Sequence, residues 1–215
     1  MNDQPAIPST LDEVGRKFGT DKASNGHDYL RHYEFYFRDV RADLSRIIEI
    51  GGLNGASLRM WEEYFPNAEV VCVDINPDVK QFHGGRISVE IGNAGDPEFL
   101  KSLRQKYSSA DIVIDDGSHR WDHQRTAFRW LFPMVSAGGF YVVEDLHTNF
   151  EPNFSGNDEI PFIELLKRKV DYLYLRGEKQ RNFLSIYNKP TQAIQRSIDS
   201  ICFVPRACIV KKKLI

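Results

Sequence analysis

Short apolar, β-branched runs alternate with segments of helical spacing across residues 47–143, and that alternation leaves few folds open to the chain. The runs occupy residues 47–50, 70–74, 87–91, 111–114 and 140–143. Helical spacing falls between them at 56–64, 97–107 and 124–135, with a short helix expected after the Asn76-Pro77 turn. Gly138-Gly139 is read as the stop of the 124–135 helix. Brief runs of this kind are buried on both faces, and their alternation with helices predicts a parallel sheet with right-handed crossovers. The last third changes character. Residues 160–175 have helical spacing, and the runs at 198–204 and 207–210 are separated by only Pro205-Arg206, which predicts an antiparallel hairpin. The expected fold is therefore α/β: a doubly wound, mostly parallel sheet closed by a C-terminal β-hairpin. Before residue 47 a helical segment (about 10–45) carries Tyr29, Tyr33, Phe35, Tyr36 and Phe37, of which Tyr33 and Phe37 are assigned to the core. The absence of repeats and low-complexity linkers assigns residues 1–215 to one domain.

Charge and composition exclude several classes. A formal net charge of -2 gives no electrostatic footprint for nucleic acid. Lys211-Lys212-Lys213 is the exception and reads as a solvated tail or edge-strand charge. Cys72, Cys202 and Cys208 are odd in number and lack CxxC spacing, which argues against disulfides or zinc and fits a reducing cytoplasm, with Cys72 as core filler. No apolar stretch approaches a membrane span, and residues 1–9 lack a signal pattern and read as a frayed leader.

The chemistry lies where two runs end. Ile112-Val113-Ile114 leads into Asp115-Asp116-Gly117-Ser118-His119, and Tyr141-Val142-Val143 leads into Glu144-Asp145. In an open α/β sheet, ligands bind at the carboxyl ends of the strands. Asp116, Glu144 and Asp145 would then share one crevice with His119 beside them. Carboxylates so close repel unless a cation joins them, and hard oxygen ligands suit Mg²⁺ or Mn²⁺. Each acid has a plainer reading, as a helix cap or a solvated loop, and His119 as a surface histidine; these weaken together because all four fall at adjacent strand ends. His123 and His147 lie nearby without a matched role, and Trp121 and Trp130 beside the first cluster are equally unassigned.

The first strand runs into Glu49-Ile50-Gly51-Gly52-Leu53-Asn54-Gly55 and a helix start. Glycines there let a ligand approach backbone, and a helix N-terminus favours a negative group. Asp74, ending the second strand, is placed to accept from ribose hydroxyls. The stretch lacks the GxGxxG of dinucleotide sites, which speaks against an NAD-binding oxidoreductase.

Four stretches together resemble the class I O-methyltransferases of the macrolide-sugar type, which include the macrocin and mycinamicin enzymes and have cephalosporin hydroxylase-like relatives. They are Gly19-Thr20-Asp21-Lys22, Ser57-Leu58-Arg59-Met60-Trp61, Asp115-Asp116-Gly117-Ser118-His119 and Glu144-Asp145-Leu146. The resemblance covers roughly residues 15–150 and only the outline of the final third. It implies a Rossmann-like fold and methyl transfer from S-adenosylmethionine to a hydroxyl of a small molecule, expected to be a sugar of a natural product or glycan. A divalent cation on Asp116, Glu144 and Asp145 is implied too, with His119 as general base. Glu49, Gly51 and Asp74 are implied as cofactor contacts, and Asn54, Ser57, Asn93 and Asp115 are expected to join them. Two positions depart from the family pattern: Leu53 stands where the loop usually has its middle glycine, and Asn93 where an acid is common. The segment 19–22 and the aromatics after it are expected to form a lid or an oligomer contact. Acceptor choice is expected in that segment and in the loop 148–158. The competing readings are a catechol-type enzyme acting on an aromatic diol, an NAD-dependent oxidoreductase, and a binding protein that kept the fold.

Overall fold

The structure is a computed structural model and describes residues 9–214. The expected leader 1–9 therefore lies outside the described residues except for Ser9. Among the described residues seven strands form one sheet: β1 (Arg46–Ile50), β2 (Glu69–Asp74), β3 (Ile87–Ile91), β4 (Ala110–Asp115), β5 (Val135–Val143), β6 (Ile198–Val204) and β7 (Ala207–Lys212). Their order is β3-β2-β1-β4-β5-β7-β6, parallel through β5 and antiparallel at β5–β7 and β7–β6. The doubly wound sheet and its closing hairpin are as the sequence predicts.

Helices cover both faces. One face carries α1 (Leu11–Phe18), α2 (Leu30–Phe37) and α3 (Ala56–Tyr64); the other carries α4 (Pro97–Lys106), α5 (Trp121–Leu131) and α6 (Phe162–Tyr174). Strand residues alternate between the two cores, with Ile47, Val70, Cys72, Ile112, Ile114 and Val142 on the first and Ile48, Val71, Val73, Val113, Tyr141 and Val143 on the second. Tyr33, Phe37 and Cys72 are fully buried in the first core, as expected. Local chemistry sets the helix ends. Thr10 and Glu13 form a capping box at α1, which stops at Gly19 in a left-handed conformation; Asp96 caps α4 with Pro97 at its start.

Three expectations need correction. The helix before β5 runs from Trp121 and stops at Leu131, because Pro133 turns the chain into a short 3₁₀ segment. Gly138 and Gly139 lie inside β5 rather than before it; a Cβ at Gly139 would meet the Asp111 carbonyl oxygen at 2.3 Å, at the irregularity in β4–β5 pairing. Lys211 and Lys212 belong to β7, an inner strand, and the Lys212 ammonium donates to the carbonyls of Pro133 (2.8 Å) and Val135 (2.6 Å). Two helices not anticipated, α7 (Gly177–Ser185) and α8 (Lys189–Ser197), precede the hairpin. No helix among the described residues is long and apolar enough to cross a membrane.

Candidate functional site

The strand order reverses between β1 and β4, so the crevice opens there, beyond Ile50 and Asp115. Register aligns the residues that follow. Ile50 pairs with Asp115 and Asp115 with Val143, and the ladder continues one step through Asp116 N–H to Ile50 O (3.0 Å) and Glu144 N–H to Asp115 O (3.0 Å). Gly51, Asp116 and Glu144 therefore stand side by side. Gly51 has φ 95° and a Cβ there would meet the Asp116 carbonyl oxygen at 2.2 Å, so this close approach requires glycine.

Alternation then separates the acids. Glu49, Asp116 and Glu144 share the parity of Ile47, Ile114 and Val142 and turn toward the α1–α3 face. Asp115 turns the other way, where Tyr141 O–H donates to its Oδ2 at 3.2 Å. Burial pushes the Asp115 carboxyl up to about 7, against the hydroxyl bond from Tyr141.

Asp116, His119 and Asp145 come together with one potential ligand atom each, all within 4.8 Å of one another. His119 Nε2 lies 3.6 Å from Asp145 Oδ2, and its buried Nδ1 has no hydrogen-bond partner. His119 (φ 56°) and Asp145 (φ 52°) both hold left-handed backbone, a strain that non-glycine residues keep only where the surroundings enforce it. Burial raises the Asp145 carboxyl, but the Tyr29 hydroxyl at 2.6 Å and the nearby His119, His27 and His147 outweigh that and hold it below its ordinary range. The two carboxylates are hard oxygen donors that fit Mg²⁺ or Mn²⁺, and the histidine beside them keeps a ring nitrogen without a partner.

Glu144 sits behind this group, 1% exposed, with Oε1 accepting from Tyr33 O–H (2.9 Å) and Oε2 from the Lys22 ammonium (2.6 Å). Both of its oxygens are thus engaged by side chains that sequence reading did not connect to it. Tyr33 is core, but its hydroxyl is a site contact.

A cavity of about 380 Å³ runs from this group along the ends of β1, β2 and β3. Gly51, Asp74 and Asn93 line it, as do His119, Asp116 and Asp145. Asp74 accepts from Gly52 N–H (2.8 Å) and Asn76 N–H (2.8 Å), which aims its carboxylate across the loop. Leu53, in place of the middle glycine, takes φ 41° and is 79% exposed at the rim, and Ile75 stands exposed there too. The remaining expected contacts lie off the wall. Glu49 is fully buried beneath the loop, accepting from Ser57 O–H at 2.8 Å, and burial pushes its carboxyl up to about 6. Asn54 folds back onto Ala56 N–H (3.0 Å). His123 and Asp21, unassigned from sequence, do line the cavity; His123 Nδ1 pairs with Ser118 O–H at 2.8 Å. The loop 148–158 is partly pinned: Asp158 pairs with Arg125, and Trp121 N–H donates to Thr148 O at 3.1 Å.

Beyond His147 a smaller cleft of about 220 Å³ is lined by Leu146, Phe150, Ile163 and Phe203, with Phe150 72% exposed. A larger cleft of about 500 Å³ near the start of β5 is lined by Arg104, Trp130 and Lys212 among others and carries no carboxylate or histidine.

No family model matches the chain. It is 36% identical over 197 residues to the 8-demethyl-8-alpha-L-rhamnosyl tetracenomycin-C 2'-O-methyltransferase of Streptomyces olivaceus, covering 87% of this chain and 50% of that protein. To the mycinamicin VI 2''-O-methyltransferase of Micromonospora griseorubida it is 40% identical over 153 residues, 68% of this chain and 38% of that protein. The MycE methyltransferase from the mycinamycin biosynthetic pathway, solved in complex with Mg, SAH and mycinamycin VI, superposes with a TM-score of 0.83 at 30% identity, covering 97% of this chain and 56% of that one. The chain spans about half the length of the relatives it matches. Over the part that it spans, it belongs with the macrolide-sugar O-methyltransferases and has their class I methyltransferase fold.

Proposed function

We propose that this chain carries the S-adenosylmethionine site and the divalent-cation site of an enzyme that methylates a sugar hydroxyl of a natural product or glycan. The observation that carries this reading is the convergence of Asp116, His119 and Asp145 at one end of the cavity that Gly51, Asp74 and Asn93 line. Support comes from the relatives, one named as a 2'-O-methyltransferase of a rhamnosyl tetracenomycin and another as a 2''-O-methyltransferase of mycinamicin VI, and from MycE, solved with Mg and SAH.

The cavity would seat the nucleoside with its ribose on Asp74 and its base toward Asn93 and the exposed Ile75. Asp116 and Asp145 would hold Mg²⁺ or Mn²⁺ at the inner end, with Glu144 as the third carboxylate behind them. Such an ion, when bound, lowers the pKa of a coordinated hydroxyl and fixes its position. His119 would take the hydroxyl proton at a ring nitrogen, as a positioned histidine base does. Its ring already stands against one of these carboxylates, with Nε2 3.6 Å from Asp145 Oδ2. The cleft beyond His147 would seat the apolar part of a glycoside whose sugar faces the acids, with Phe150 as its exposed wall.

His119 also stands among the possible ligands, and one variant separates the two roles. His119→Ala should lose methyl transfer to a vicinal-diol glycoside by a factor of about 10² or more while keeping Mn²⁺ affinity. Unchanged turnover would remove the base; lost Mn²⁺ binding would make His119 a ligand. Activity that survives exhaustive chelation would remove the cation from the reaction altogether.

A further inference from the structure

Lys22 has no part in the reading above, yet its side chain is 2% exposed and ends among three carboxylates. It lies between α1 and α2, where its carbonyl accepts from Tyr29 N–H (2.9 Å) and Leu30 N–H (3.2 Å). Those bonds tie the backbone to the start of α2, and the buried stem runs inward to the carboxylates. The ammonium hydrogen-bonds Asp116 Oδ2, lies 2.6 Å from Glu144 Oε2 and 3.5 Å from Glu49 Oε1. Among the described residues, no other lysine, arginine or histidine lies within 4.0 Å of these three carboxylates. Asp21 faces the cavity, and Lys22 reaches underneath it.

We propose that Lys22 is a built-in counter-ion: it holds Asp116 and Glu144 together while the site is free of metal, and it lowers the site's affinity for a divalent cation. The inference rests on the reading of Asp116 as a cation ligand. Two physical consequences follow from one fixed charge. Buried carboxylates deprived of their cation are strongly destabilising, so the metal-free fold depends on the ammonium. A unit positive charge hydrogen-bonded to the prospective ligand Asp116 and to Glu144 behind it also repels an arriving dication, and removing it must strengthen cation binding. A side chain needed only for packing would weaken the fold without tightening the metal.

The test compares the wild type with Lys22→Met, which keeps the stem, and Lys22→Arg, which keeps the charge. Free Mn²⁺ is titrated by electron paramagnetic resonance, and thermal unfolding is followed with and without Mn²⁺. Lys22→Met should bind Mn²⁺ at least about tenfold more tightly, a lower bound that holds even with water-like screening. Without metal it should unfold at a lower temperature than the wild type, and it should gain more from added Mn²⁺. Lys22→Arg should bind Mn²⁺ as the wild type does. If Lys22→Met is unfolded alone, folding on addition of Mn²⁺ supports the counter-ion and remaining unfolded overturns it. Equal or weaker Mn²⁺ binding by Lys22→Met, with wild-type binding that Asp145→Asn abolishes, overturns the counter-ion alone. Absence of Mn²⁺ binding in both proteins overturns the cation site as well.

Discussion

Asp115 offers a test of the strand alternation that places every other acid at the site. The same parity that brings Asp116 to the crevice buries Asp115 against Tyr141 on the opposite face, 5% exposed. Burial displaces its carboxyl from 3.8 to about 7, so the folded protein holds a proton there that the unfolded chain releases. The sign follows directly. A carboxyl raised on folding contributes its full stability below the unfolded value, and that contribution is lost as pH climbs through the folded one. The displacement corresponds to roughly 4 kcal/mol of cost above neutrality. Asp115→Asn keeps the shape and removes the ionisation. In urea denaturation with chelator present, the variant should gain on the wild type by about 2–3 kcal/mol between about pH 5 and about pH 8. A difference between the two proteins that does not change with pH would refute the burial argument, and so would a variant that is weaker throughout.

Other perturbations follow from particular contacts. Tyr33→Phe removes the donor to Glu144 Oε1 and should cost about 1–3 kcal/mol in thermal or urea unfolding, the penalty of leaving a buried oxygen without that partner. A loss below about 0.5 kcal/mol would mean that water or another donor replaces it. Leu53→Gly relieves a left-handed residue at the cavity rim and should leave stability unchanged or raise it by up to about 1 kcal/mol; a clear loss would show that the Leu53 side chain has packing worth more than its strain. Phe150→Ala should raise KM for a glycoside with an apolar aglycone more than for the free sugar, and equal effects on both would remove the cleft beyond His147 from acceptor binding.

Much of the frame was legible because period-2 and period-3.6 patterns are strong in buried strands and their covering helices. The acids at the ends of β4 and β5 could be placed in one crevice from the order of elements alone. Their facing directions were also available, since Asp116 shares the parity of Ile114 and Glu144 that of Val142, which leaves Asp115 facing away from the cavity wall. Lys22 was not recoverable in that way. It lies 94 residues from Asp116 and 122 from Glu144, and no local periodicity tells where a lysine head on an irregular segment will end. Helices α7 and α8 were missed because each carries few large apolar residues, Phe183 and Leu184 in the first and Ile194 in the second, although Asn188 before Pro190 was a usable start signal. The glycines of β5 misled because a Gly-Gly pair is more often a stop than a strand whose neighbour's backbone leaves no room for a side chain.

The most direct measurement is calorimetric titration of the purified chain with S-adenosylmethionine, with and without Mg²⁺, using NAD as control and Asp74→Ala as the disabled site. Expected is one S-adenosylmethionine bound per chain, weakened about tenfold or more in Asp74→Ala through the lost ribose hydrogen bonds, and no binding of NAD. Absence of heat with S-adenosylmethionine, or NAD binding in its place, would contradict the assignment of the crevice beyond β1 and β4.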